Sequence, residues 1–391
     1  MASRDRKSRG DARVLSTRAL NRAVLGRQQL LQRGESTLPR MLESMAGLQA
    51  QYAPSMYIGL WSRLEGFERD HLTSALEKAT VVQGTLMRAT IHLVSARDYW
   101  PFAKGIGDVR REWWLRAQRP RPHRAELEAA ATRLRAELVK GPLKRKQIDE
   151  LVGPQLRAGV VMWLDLVRVP PSGTWERRRA DLYAASDDWL GPGLASVEEG
   201  LELLVRRYLG GFGPAAPKDI ADWAGLTITT LRPVLERLRL RRFLTEGGEE
   251  LIDLMRAPLP DPQTPAPVRF LPVWDATLLA HARRSGILPE KYRSLVFNIK
   301  TPHSVPTFLV DGAVAGTWKH EGGGVRVEPF LPPHRGTPAS VCPGQRPFPH
   351  EKGGLSAPDF SPSSTELAEN QSSYPGGLVL TDAFEQVRVN R

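Results

Sequence analysis

The segment 201–243 limits the architecture more than any other stretch of this chain. A helix ending near Gly210-Gly211 leads through Phe212-Gly213-Pro214 to a second helix, Pro217-Lys218-Asp219-Ile220-Ala221-Asp222-Trp223-Ala224. Gly225-Leu226 makes a turn, Thr227 caps a third helix that runs to Leu240 with Pro233 inside, and Glu246-Gly247-Gly248-Glu249 reads as a hairpin turn. Helix, glycine turn, helix and hairpin in that order is the layout of a winged helix-turn-helix. Comparable helix-helix-hairpin passages occur near residues 37–94 and 142–178, without residue-level repetition. The expected fold class is α+β: tandem winged helix-turn-helix motifs around a central groove, then a C-terminal β-rich part and a disordered tail.

This plan divides the 391 residues into a disordered basic arm (1–13), winged-helix units at 14–119, 120–200 and 201–255, a β-rich region (256–330) and a tail (331–391). Helices are expected over 14–32, 37–49, 68–78 and 124–139. An irregular join begins at Asp98-Tyr99-Trp100-Pro101, and Arg119-Pro120-Arg121-Pro122 reads as a linker. In the β-rich region, strands are expected at 268–273, 293–299, 307–311, 312–318 and 325–330, with Asp311-Gly312 a strong hairpin signal. Pro, Gly and Ser make up 22 of the 61 residues after Phe330, a composition of disorder.

Charge narrows the function. Fifty-five Lys and Arg against 43 Asp and Glu give +12, and residues 331–391 hold five bases against six acids, so the surplus lies in the preceding chain. Such a surplus suits a polyanion, most simply nucleic acid, because each neutralised phosphate releases counterions. Cys342 is the single cysteine, which excludes a disulfide framework and cysteine-built metal sites. The eight histidines show no paired metal-ligand spacing, and there is no phosphate-binding glycine loop or nucleophile elbow, so neither metal nor cofactor is expected. No apolar run approaches 18 residues and the charged N-terminus leads into no apolar core, so the chain reads as a cytoplasmic, nucleoid-associated monomer without a membrane segment.

Three stretches carry candidate chemistry. In Leu48-Gln49-Ala50-Gln51-Tyr52, which closes the helix built on Leu38, Met41, Leu42, Met45 and Leu48, an extended chain puts Gln49 and Gln51 on one face, where both amides can converge on a ligand. Paired glutamines at a helix end also serve simply to bond the last carbonyls or water. Leu86-Met87-Arg88-Ala89-Thr90-Ile91-His92-Leu93-Val94 reads as one strand, with Arg88, Thr90 and His92 on a polar face that lines a groove or faces solvent. Residues 167–175 read as two strands about a tight turn, and Arg177, Arg178 and Arg179 immediately after it look like a phosphate grip. Asp275 and His281 lie within reach of the same groove by sequence context, with a structural hydrogen bond favoured for both, and Asp165 reads as a turn or cap residue. Arg283, next to His281, joins the candidate DNA contacts.

These residues resemble the AlkZ-like winged-helix DNA glycosylases, bacterial enzymes that excise N7-alkylated purines and unhook interstrand crosslinks. The resemblance spans roughly residues 14–330 and rests on Gly47-Leu48-Gln49-Ala50-Gln51, Gly59-Leu60-Trp61-Ser62-Arg63-Leu64, residues 86–94, residues 170–179, and Val310-Asp311-Gly312-Ala313-Val314-Ala315-Gly316-Thr317-Trp318. The family's catalytic element is a glutamine, an aliphatic residue, then glutamine or, in one branch, aspartate. The resemblance therefore implies catalytic roles for Gln49 and Gln51, and DNA contacts from Arg88, His92, Arg177, Arg178, Arg179 and Arg283. The partner it implies is double-stranded DNA bearing alkylated purines. The chain departs from the family after Phe330, where a proline-rich tract replaces helix-forming sequence.

An amide does not titrate near neutrality and is neither a useful general acid nor a base. An N7-alkylated guanine already carries positive charge and leaves without protonation. The remaining work is to orient water at the sugar C1′ and stabilise an oxocarbenium-like transition state, which amide carbonyls suit. A non-enzymatic winged-helix transcriptional regulator is the alternative that charge and layout equally permit.

Overall fold

In a computed structural model, residues 13–118, 122–280, 286–298, 303–321 and 324–331 are described. The basic arm up to residue 12, most of the 119–122 linker, His281, Arg283 and the tail from residue 332 lie outside them. The described chain is a mixed α and β protein, and no helix in it is long and apolar enough to cross a membrane.

Residues 217–254 follow the order read from sequence. Helix Pro217–Ala224 ends at Gly225, whose φ of 73° is a left-handed conformation that glycine adopts without Cβ strain. Thr227 accepts the Thr230 N–H and caps helix Ile228–Arg237. That helix stops three residues earlier than expected, because Leu240–Thr245 is already a strand, paired antiparallel with Glu250–Leu254. A third strand joins this hairpin. Val14–Leu15, expected as helix, pairs parallel with Leu244 and Thr245, and the helix proper begins after the Ser16 cap at Thr17–Arg27. The buried Arg27 guanidinium binds both oxygens of Asp253 at 2.8 and 2.9 Å, fixing that helix to the hairpin.

A six-stranded sheet combines the hairpins of the first two expected units. Its order is Leu48–Gln49, Ile91–Ser95, Val81–Thr85, Leu166–Arg168, Leu182–Ala185 and Leu143–Lys144. Two expectations change here. Residues 86–94 are not one strand: Met87–Ala89 forms a helical turn between antiparallel strands Val81–Thr85 and Ile91–Ser95, with Arg88 and Ala89 at positive φ. The period-two pattern continues through a reversal that no glycine marks. Residues 167–175 are not a tight hairpin either, since Leu166–Arg168 pairs with Leu182–Ala185 across a long loop that carries the three arginines.

The expected irregular join at 98–101 lies inside the helix Ala96–Ala117, which Ser95 caps and which tolerates Pro101 near its start. This helix packs closely on Val197–Phe212 at Gly105 and Gly200, where a Cβ on either would press on backbone of the other. In the C-terminal part, Arg269–Leu271, Thr307–Val310, Ala313–Glu321 and Gly324–Pro329 form one antiparallel sheet. The Asp311-Gly312 turn joins two of its strands as expected, and the Asp311 carboxylate is held by Arg18 and Arg22. Residues 293–296 are helical rather than extended, and only Phe297–Asn298 is strand.

Candidate active site

The helix Leu38–Met45 stops four residues before the expected position. Ala46 and Gly47 take left-handed φ values of 64° and 77°, and the Gly47 N–H closes onto the Leu42 carbonyl at 2.8 Å. A Cβ at Gly47 would lie 2.9 Å from the Leu93 carbonyl oxygen, so the tight approach of this turn to the sheet depends on glycine. The early stop places Gln49 in a short strand and Gln51 in the bend that follows it. Leu48–Gln49 pairs with Leu93 and His92, and the Ala50 N–H bonds the Ile91 carbonyl at 2.7 Å.

Gln49 is buried and faces a pocket lined by Ala46, Gly47, Arg88, His92, Trp223, Ala276, Leu279 and Ala280. The cavity of about 10 Å³ has room for roughly one water. The Gln51 side chain turns along the sheet edge instead, its Oε1 accepting the Ile91 N–H at 2.9 Å. It is not among the pocket-lining residues, so the two amides occupy distinct settings within one motif.

Arg88 donates from Nη1 to the Trp223 carbonyl at 2.7 Å and from Nη2 to Gln49 Oε1 at 3.4 Å. It keeps some accessible surface, but desolvation lowers its pKa to about 10, with smaller opposing effects from Tyr208 and Asp222. His92 is buried beside it. Burial, reinforced by the Arg88 charge, lowers the His92 pKa to about 3, so the imidazole is neutral at physiological pH. Its Nδ1 lies 3.1 Å from the Thr90 carbonyl, which only an Nδ1–H can satisfy, so Nε2 carries the lone pair.

The opposite wall is braced from three directions. Trp223 packs against Phe102, Tyr208 and Phe212, and the Tyr208 hydroxyl donates to the Ala280 carbonyl at 2.7 Å. Asp275 caps the short helical turn Ala276–Leu278 through the Thr277 N–H and hydroxyl, and pairs with the buried Arg63 at 2.8 Å. Asp275 thus has the structural bonds expected of it. Asp165 accepts from Arg110 at 3.4 Å, and its carbonyl receives the Ser186 N–H.

The three arginines sit on the loop between strands Leu166–Arg168 and Leu182–Ala185. Arg177 and Arg179 are exposed; Arg179 pairs with Asp181 at 3.3 Å. Arg178 is half-buried and donates to the Tyr52 hydroxyl at 3.1 Å, which brings the loop against the residue following Gln51. Sequence reasoning missed Trp223 and the 276–280 wall, for they are apolar or small and lie some 170 residues or more from Gln49, with no local pattern to connect them.

A sheet-edge amide, a neutral histidine and a helix-turn-helix meet at one pocket. Residues 42–342 match the family described as DNA glycosylase AlkZ-like, and the chain belongs to that family of DNA glycosylases. Its fold is similar to that of Streptomyces sahachiroi DNA glycosylase AlkZ, at 19% identity and a TM-score of 0.69, covering 81% of this chain and 91% of the other. No curated protein sequence matches the chain.

Proposed function

We propose that this glycosylase hydrolyses the N-glycosidic bond of cationic N7-alkylated purines in double-stranded DNA, with Gln49 and Gln51 as the catalytic pair. One observation carries the reading: among the described residues that line the pocket there is no carboxylate and no lysine, and His92 there is held neutral. A neutral purine leaves far more readily once it is protonated, and the described lining residues offer no acid to protonate it. A base that is already cationic needs no proton, so what remains is water placement and stabilisation of positive charge at the sugar, for which amide oxygens suffice. The reading is of a monofunctional hydrolase: strand cleavage through a Schiff base needs an amine nucleophile, and no lysine is among the described lining residues.

In this reading the helix-turn-helix units are winged helices around the DNA groove, and the chain acts as a monomer. Arg177, Arg178 and Arg179 grip phosphates, joined by Arg283, while His92 meets the DNA at the lesion nucleotide itself. The reading further takes the groove outside this small cavity to be open, so that bulk at N7 is tolerated and the substrate class extends to crosslinked purines that never flip fully. The test is incubation with duplex carrying one N7-methylguanine, followed by detection of the free base. Release of the base supports the reading; binding without release favours a regulator-like role.

A further inference from the structure

We infer that Arg88 is a positioning residue for Gln49, anchoring the catalytic amide to the first helix of the helix-turn-helix at residues 217–237. This rests on the assignment of Gln49 as a catalytic group and adds how its amide is held. A glutamine amide has two nearly isosteric orientations, with oxygen and nitrogen exchanged. A guanidinium has donors only, so it accepts just one of them, the one that turns Oε1 toward Arg88. The bond from Nη2 to Gln49 Oε1 is long at 3.4 Å. It selects the orientation without saturating the oxygen, and the second lone pair remains for a water hydrogen.

The anchor is stronger than the contact it serves. Nη1 donates at 2.7 Å to the Trp223 carbonyl, one of the last carbonyls of helix Pro217–Ala224. The backbone is fixed to the same place. A Cβ at Gly225 would meet Arg88 N at 3.1 Å and Arg88 Cα at 3.3 Å, so the helix-turn-helix turn rests on the Arg88 main chain. Arg88 and Ala89 hold φ values of 52° and 55°, conformations that cost a non-glycine residue energy and concentrate at functional sites. Only a forked side chain reaches both acceptors at once. Lysine would keep the charge but hold one of them.

A double-mutant cycle on the full chain tests the coupling, using duplex with a single N7-methylguanine. Single-turnover rate, half-saturating protein concentration and salt slope are measured for wild type, Arg88→Lys, Gln49→Ala and the double variant. The expected result is a maximal rate about tenfold lower for Arg88→Lys, half-saturation and salt slope unchanged, and a double variant no slower than Gln49→Ala alone. Losses that multiply, a wild-type rate for Arg88→Lys, or a loss confined to affinity and salt slope would each overturn the inference while leaving Gln49 catalytic. A wild-type rate for Gln49→Ala would overturn the catalytic assignment as well. Should Arg88→Lys fail to fold, Gly225→Ala pushes on the Arg88 backbone from outside; it should lower the saturated rate and likewise add nothing to Gln49→Ala, and independent effects would again overturn the coupling.

Discussion

Gln51 Oε1 accepts the Ile91 backbone N–H at 2.9 Å, filling the place that a main-chain carbonyl would take had the strand Leu48–Gln49 continued. The Gln49-Ala50-Gln51 stretch is thus locked to the sheet at both ends, by main-chain pairing at Gln49 and by a side chain at Gln51. Gln51→Ala should lower single-turnover excision about 10²-fold while duplex affinity stays within a few fold. Gln51→Asp should keep part of the rate, because a carboxylate still offers oxygens to the Ile91 N–H and to water. Equal rates for alanine and wild type would remove Gln51 from the mechanism.

The loop arginines separate into two kinds. Arg177 and Arg179 are exposed, so replacing both with alanine should weaken binding to lesion and undamaged duplex alike and reduce the salt slope by about 2. Arg178 also holds the Tyr52 hydroxyl, so Arg178→Ala should in addition slow excision at saturating protein. Titration at several salt concentrations checks the first claim, and an unchanged slope would place these side chains outside the interface.

His92 makes stability depend on pH. Its pKa is about 3 in the folded protein against about 6.5 unfolded, so between those values the unfolded chain binds a proton that the native chain refuses. This contribution is fully present above the unfolded pKa and is lost as pH falls toward 3, at about 1.4 kcal/mol per pH unit. Denaturant melts of wild type and His92→Gln from pH 7 to pH 4 should therefore converge on acidification. Parallel curves would show that His92 is not held neutral.

Local signals were legible in the sequence and distant closures were not. Gly225, Thr227 and the Asp311-Gly312 turn announce themselves because backbone conformation or capping selects those residue types. The helix stop at Ala46-Gly47 offered the same kind of signal through Gly47, masked by Leu48 continuing the apolar spacing. The reversal at Arg88 had none, since two non-glycine residues take positive φ there and Gly225, which lies against the Arg88 main chain, is far along the sequence. Gln49 and Gln51 were found by their motif, but that Gln49 alone would face the pocket depended on Trp223 and the 276–280 turn closing it from far along the chain.

In the proposed mechanism an amide, without a titrating acid, removes a base that already carries charge. Single-turnover base release from duplexes bearing N7-methylguanine, N3-methyladenine, hypoxanthine, uracil or 1,N6-ethenoadenine, measured from about pH 6 to 9 for wild type and Gln49→Ala, tests it most directly. The first two bases should be released at a rate nearly independent of pH and the three neutral ones should not, with Gln49→Ala slower by about 10²-fold or more. Efficient release of a neutral base, a clear acidic limb in the profile, or a wild-type rate for Gln49→Ala would contradict the mechanism.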